Sequence, residues 1–267
     1  MKPPVYDPAW PDDVKALYKH DMEEIWDRSL APHLWNQYHN QIDVYLDIAG
    51  TAPLRILDVG CAQGTLALLL AERGHDVTAI DIRPQFLEYA KSRYTQGQVE
   101  FLAANALQDQ LAGEYDLIFA NQIIEHLVYP QELAERLKML LRPGGELVVT
   151  TPNGDYIKNN LPAYSTLGDP REWEHLQFSA DGDGHFYAYL AEELGDIFHN
   201  ANLTDIEIRF FETPFISGHM KVRYIHGLIP SSTLRIADRL LLAIPGLKRR
   251  FAHQLLIMGR APGHPRV

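Results

Sequence analysis

The 267-residue sequence predicts an α/β protein built on one mostly parallel sheet with helices on both faces. Short β-type runs alternate with longer helical ones from residue 54 onward, a glycine turn joins the first run to the first helix, and a carboxylate ends the second run. Hydrophobic residues make up 46% of the chain, which suits one substantial core with decorations rather than two catalytic domains.

Residues 12–48 read as two helices rich in Trp, Tyr and His, with no strand pattern, so 1–50 is expected to form a helical cap. Five strands follow at Leu54–Val59, Asp76–Ile80, Val99–Ala103, Tyr115–Ala120 and Glu146–Thr151. Helices fill the gaps near Thr65–Arg73, Pro84–Tyr94 and Pro130–Leu141. Pro84 and Pro130 suit first-turn positions, and the Arg142-Pro143-Gly144-Gly145 turn ends the last of these helices. Ala188–Asn200 reads as a further helix, Thr204–Phe211 and Phe251–Gly259 as the sixth and seventh strands. The core is thus expected over 51–213, with an acceptor lid near 152–187. A helical insertion, 214–250, carries a helix from Ser232 to Ala243, and 251–267 forms the last strand and tail.

The motif richest in chemistry is Asp58-Val59-Gly60-Cys61-Ala62-Gln63-Gly64-Thr65. Glycine lets the backbone approach a ligand closely, and the following helix N-terminus offers unpaired N–H groups to it. A strand-to-helix turn also needs glycine for structural reasons alone. A dinucleotide fingerprint would put glycine where Ala62 and Thr65 stand, so a pyrophosphate is poorly served. Asp58 would repel a pyrophosphate but suits a ligand with a positive ammonium group. Asp81 ends the second strand where such folds hold a ribose, and it can accept two hydroxyl hydrogen bonds. Its alternative use is to cap the helix that begins near Pro84.

From 54 to 151 the chain resembles the class I S-adenosylmethionine-dependent methyltransferases, Rossmann-like proteins with a seven-stranded sheet. The likeness rests on Asp58–Gly64, Asp81 and Leu140-Leu141-Arg142-Pro143-Gly144-Gly145. Tyr115-Asp116-Leu117-Ile118 with Ile124-Glu125-His126-Leu127 is similar to the ubiquinone-pathway and small-molecule O-methyltransferase branch. The resemblance implies S-adenosylmethionine as cofactor and a small-molecule acceptor, a hydroxyl on a sugar, quinol or other biosynthetic intermediate, with N-methylation as the alternative. It implies that Gly60, Cys61, Ala62, Gln63 and Gly64, with Asp58, hold the methionine part, that Asp81 binds the ribose and that Ile82 flanks the adenine. Asn105, before Ala106, stands where the family usually has an aspartate on the adenine amino group, and its amide oxygen can accept the same bond. Asn121 and Gln122 are expected to line the cofactor's exit toward the acceptor. Trp35, Tyr38 and His39 are expected to close over the cofactor, with Tyr38 reaching its carboxylate, or else simply to pack within the cap.

Methyl transfer needs the nucleophile and methyl carbon aligned, and a base where the acceptor is neutral. His126 is the first candidate, since imidazole titrates near neutrality; a surface or capping histidine is the plain alternative. His175 and His185 are the other candidate bases or acceptor contacts, and Tyr156 a further acceptor contact. They belong to a segment from Trp173 to Tyr187 whose Asp181-Gly182-Asp183-Gly184 run also reads as a polar turn. Some relatives bind a divalent metal through Glu-x-x-Glu-His where this chain has Gln122-Ile123-Ile124-Glu125-His126. A neutral amide replaces the first carboxylate, and no metal is expected.

Composition narrows the classes further. The lone cysteine, Cys61, leaves no intramolecular disulfide, and neither a signal-peptide run nor an apolar stretch of roughly 20 residues appears, so a cytoplasmic protein is expected. A net charge of −11 disfavours nucleic acid as partner. From Pro214 to Val267, however, nine Lys and Arg face the single acid Asp238, a net of +8 that leaves −19 on the remainder. Residues 221–250 are therefore expected to form either a solvated basic face or a weak contact with an anionic membrane surface or phosphate-bearing acceptor. The apolar side of the 234–244 helix is also a candidate homodimer face. The competing readings are a nicotinamide-dependent oxidoreductase, disfavoured by Ala62 and the lack of a Tyr-x-x-x-Lys pair, and a non-catalytic cofactor-binding scaffold.

Overall fold

The structure is a computed structural model and describes residues 1–176, 185 and 187–263. Seven strands form one sheet: β1 (Arg55–Val59), β2 (Asp76–Asp81), β3 (Gln98–Ala103), β4 (Tyr115–Asn121), β5 (Leu141–Pro152), β6 (Thr204–Phe211) and β7 (Gln254–Arg260), in the order β3-β2-β1-β4-β5-β7-β6. β2 is parallel to β1 and β3, and β4 to β5, while β7 is antiparallel to β5 and β6. The mostly parallel seven-stranded sheet with helices around it, an N-terminal helical cap and a helical insertion before the last strand are those expected from the sequence. Two compact units divide the chain, Met1–Asn105 with Glu212–Ala243 and Ala106–Phe211 with Ile244–Val267.

In the first unit, β1 and β2 are apolar runs buried along nearly their whole length, as befits strands covered on both faces. α3 (Thr65–Glu72) and α4 (Pro84–Arg93) pack on β2 and β3. Leu66, Ala67, Leu68, Leu70 and Ala71 are all buried, so α3 is apolar nearly all round. The cap consists of α1 (Asp12–Asp21), a π-helical turn Met22–Trp26 and α2 (Pro32–Ala49). Val14 and Leu17 of α1 join Phe86 and Tyr89 of α4 in one apolar cluster that also takes Trp10, Tyr18 and Ala62. α7 (Pro214–Ser217) packs on both α2 and α8 (Ser231–Leu242).

In the second unit, α5 (Pro130–Met139) packs on β5, and α6 (Ala191–Asn200) lies against β6 and β7. Three boundaries differ from expectation. α6 starts at Ala191 rather than Ala188, because Ala188 and Tyr189 form β-bridges with Ala163 and Asn153. Arg142–Gly145 does not simply terminate α5, which stops at Met139; these residues open β5, paired through Leu141 with Tyr115 across a shift in register. Gly145 permits this, because a Cβ there would lie 2.8 Å from the Tyr115 carbonyl oxygen. The last strand starts at Gln254 rather than Phe251, because Leu247–Phe251 closes into the short helix α9.

Candidate active site

β1 breaks into a turn with three left-handed residues, Gly60 (φ +67°), Ala62 (φ +45°) and Gly64 (φ +75°). The turn is stitched to the end of β2: the Cys61 N–H donates to the Ile80 carbonyl at 3.0 Å, and the Ala62 N–H to Oδ2 of Asp81 at 3.0 Å. Gly64 is required twice, by its φ and because a Cβ would sit 2.6 Å from that of Ala90 on α4. Beneath the turn the fully buried Arg93 donates to the Gln63 carbonyl and to Thr65 Oγ1 and pairs with the buried Asp21 at 2.8 Å.

The acids at this end of the unit are held in an uneasy state. Burial, then the charge of Asp81, pushes Asp58 up to about 7; a bond from the Ala67 backbone opposes this. Burial also pushes Glu24, in the π-helical turn, to about 7. Glu24 accepts a bond from the Gln63 amide at 3.0 Å, and the same amide donates to the Tyr38 hydroxyl at 3.1 Å. Burial, then the charges of Asp58 and Asp81, push the Cys61 thiol far up and away from the reactive thiolate. A bound cation would relieve these carboxyls.

Asp81 is buried, its Oδ1 accepting from the Arg83 backbone at 2.9 Å. Oδ1 also accepts from Arg83 Nε at 3.5 Å, so the acceptor position still open is on Oδ2, which takes only the Ala62 N–H. Ile82 beside it is 53% exposed, an apolar side chain left open at the tip of a buried strand. Asn105 follows β3, whose end is tied to β2 by the Ala104 N–H on the Asp81 carbonyl, 3.1 Å; Ala106 begins the second unit. In α2, Trp35 and His39 stack at 3.7 Å, and Nδ1 of His39 bonds the Trp35 carbonyl. That ring pair is occupied locally, whereas Tyr38 reaches the glycine turn.

The second unit presents Asn121 at the tip of β4, accepting from Thr150 Oγ1 at 3.1 Å. Gln122 adopts φ +53°, and its amide donates to Gln254 Oε1 at 2.9 Å and to Thr150 Oγ1 at 3.3 Å. A single 3-10 turn, Ile124–His126, follows. Tyr189 donates to the Ile124 carbonyl at 3.1 Å and Tyr187 to the Leu127 carbonyl, so two buried tyrosines pin the turn on both sides. Glu125 is completely buried; its Oε2 accepts from Thr151 Oγ1 at 3.1 Å, Oε1 has no partner, and burial pushes the carboxyl up to about 8.

His126 and His185 meet edge to face, ring centroids 4.8 Å apart. Partial burial, then the His126 charge, draws His185 below its ordinary range. Among the described residues, Glu125, His126 and His185 each offer a ligand atom within 4.8 Å of the others, the one such trio that could hold a metal. Gln122 and His175 are not members; His175 lies exposed in the turn Glu174–Leu176. Tyr156 lies edge-on to His253, and burial pushes its hydroxyl up to about 12. The Asp181–Gly184 run and Phe186 lie outside the described residues.

Sequence reasoning singled out neither Glu24 nor Arg93. A π-helical turn leaves no spacing to read, and a basic residue in a last helical turn normally marks a helix end.

A family model described as a methyltransferase domain matches residues 18–208. The chain is 29% identical over 167 residues to a ubiquinone biosynthesis O-methyltransferase of Cupriavidus pinatubonensis, covering 61% of this chain and 65% of that protein. It is 35% identical over 141 residues to a malonyl-[acyl-carrier protein] O-methyltransferase of Acetivibrio thermocellus, covering 52% and 50%. The matched stretches thus span less than two thirds of these relatives. Among solved structures, an N-methyltransferase of Bradyrhizobium japonicum in complex with S-adenosyl-L-homocysteine superposes with a TM-score of 0.53 at 19% identity, covering 94% of this chain and all of that one. Phosphoethanolamine N-methyltransferase 2 of Haemonchus contortus does so with a TM-score of 0.59 at 15% identity, covering 91% and 59%. At such identities the likeness is one of fold.

Proposed function

We propose, from the premise that the chain belongs to the methyltransferase domain family, that it transfers a methyl group from S-adenosylmethionine to a hydroxyl of a small molecule. The observation that carries this reading is the left-handed turn Gly60–Gly64 fastened to Asp81, with Asp58 and Glu24 at its flanks raised to about 7. That arrangement favours a cationic ligand with a vicinal diol, and a pyrophosphate would meet carboxylates there. Oxygen as the acceptor atom agrees with the O-methyltransferase names of the two relatives.

The bound cofactor supplies an electrophilic methyl group on a sulfonium. Asp58 balances the ammonium, the Gly60–Gly64 backbone admits the methionine chain, and Tyr38 faces its carboxylate beside Gln63. Asp81 accepts from the ribose hydroxyls, Ile82 covers one face of the adenine, and Asn105 accepts from its amino group. Asn121 and Gln122 border the path toward the acceptor. His126 removes the hydroxyl proton as the oxygen approaches, His185 stands next to it as alternate base or acceptor contact, and His175 and Tyr156 are further acceptor contacts.

Equilibrium dialysis with radiolabelled S-adenosylmethionine or its demethylated product tests this directly. Retention by folded protein is expected; none would overturn the reading.

A further inference from the structure

We infer that the surface of residues 220–240 rests on an anionic lipid bilayer. This does not depend on the methyltransferase reading. Of the fifteen large hydrophobic side chains exposed among the described residues, five fall in this stretch: Met220, Tyr224, Leu228, Ile236 and Leu240. Leu228 is 82% and Leu240 65% exposed, which solvent alone does not favour.

α8 is held in a fixed rotation. Leu234 and Asp238 point inward, Asp238 accepting from the Thr213 N–H at 2.7 Å, and Arg235 pairs with Asp43 of α2 at 2.6 Å. Ile236, Arg239 and Leu240 are therefore turned outward together. Lys221, Arg223 and Arg239 are exposed, and no salt bridge forms to any of them among the described residues. The only acid between residues 219 and 243 is the buried Asp238. The Arg223 guanidinium lies over the Tyr224 ring, 5.0 Å from its centroid.

The choice of occupant follows from charge. Two copies joined through this face about a two-fold axis would set cations against cations and leave them unneutralised. A polyanion such as a nucleic acid would satisfy the cations, yet it would give the apolar side chains nothing and would confront the −19 carried outside Pro214–Val267. An anionic bilayer serves both sets: phosphates meet the cations while leucine, isoleucine and tyrosine enter the headgroup boundary.

Flotation of the full chain tests this with vesicles of phosphatidylcholine alone and of phosphatidylcholine mixed with phosphatidylglycerol, at low and high salt. Binding is expected only to the mixed vesicles, and it should fall on raising salt. Lys221→Glu/Arg239→Glu should weaken it by about fivefold or more for each cation removed. Leu228→Ser/Leu240→Ser should weaken it without changing donor binding by calorimetry, since these side chains face solvent. Absence of flotation, equal binding to both vesicle types, or indifference to both double variants would overturn the inference. So would a dimer seen by sedimentation velocity that Leu228→Ser/Leu240→Ser disperses.

Discussion

Two turns follow two strand tips in this molecule, and they are built in different ways. The turn after β1 carries Ala62 at φ +45° and the one after β4 carries Gln122 at φ +53°, so each places a non-glycine residue in the left-handed region. The first is held mainly by groups nearby in sequence: the Ile80 carbonyl, the Asp81 carboxylate and Arg93. The second is held by side chains from far along the chain, Tyr187, Tyr189 and Gln254. A cofactor grip can thus be written into a short stretch of sequence, whereas the group proposed to do chemistry depends on long-range packing for its position.

The largest effect expected from breaking this contrast is in the first turn. Gly64→Ala adds the cost of a left-handed alanine, about 1–2 kcal/mol, to that of forcing a Cβ against Ala90, about 1–3 kcal/mol. Urea unfolding should show a loss of about 3 kcal/mol; a loss below about 1 kcal/mol would mean the turn relaxes freely. Asp81→Ala comes next. It removes the proposed ribose contact and the tie to Ala62, and calorimetry should show S-adenosylmethionine binding weakened about a hundredfold; unchanged affinity would remove Asp81 from the ribose. In the second turn, His126→Ala should lower turnover about a hundredfold with cofactor affinity intact. Full turnover would transfer the base role to His185 or His175.

The same contrast explains what was legible in the sequence. Seven strands, the glycine turn and Asp81 all announce themselves by periodicity or by spacing within one βαβ segment. The start of β5 was hidden, because proline and two glycines look like a terminator until the shifted register beside Tyr115 makes room for them. Glu24 and Arg93 were hidden because their partners, Gln63 and Asp21, lie on other elements. The nearness of His185 to His126, 59 residues apart in number, follows from no local pattern.

The smallest effect sought is a change of slope. The Glu125 carboxyl is raised to about 8 in the folded chain, against about 4.3 when unfolded. Between those values the unfolded chain has released a proton that the folded chain keeps, so stability falls as pH rises through this window and levels off above it. Glu212, raised to about 8, and Asp58 and Glu24, raised to about 7, slope the same way. Glu125→Gln keeps an acceptor for Thr151 Oγ1 and removes one titration. Its stability at pH 5 should therefore lie within about 1 kcal/mol of the parent, while its loss between pH 5 and 8 should be smaller. Saturating S-adenosylmethionine should flatten the share due to Asp58, whose charged form its ammonium favours, and leave that of Glu125 in place. Thermal melts across this range, with and without the donor, separate the two turns by their response to one cation. A slope in Glu125→Gln equal to the parent's would show that the orphaned oxygen of Glu125 is already charged and solvated in the folded chain.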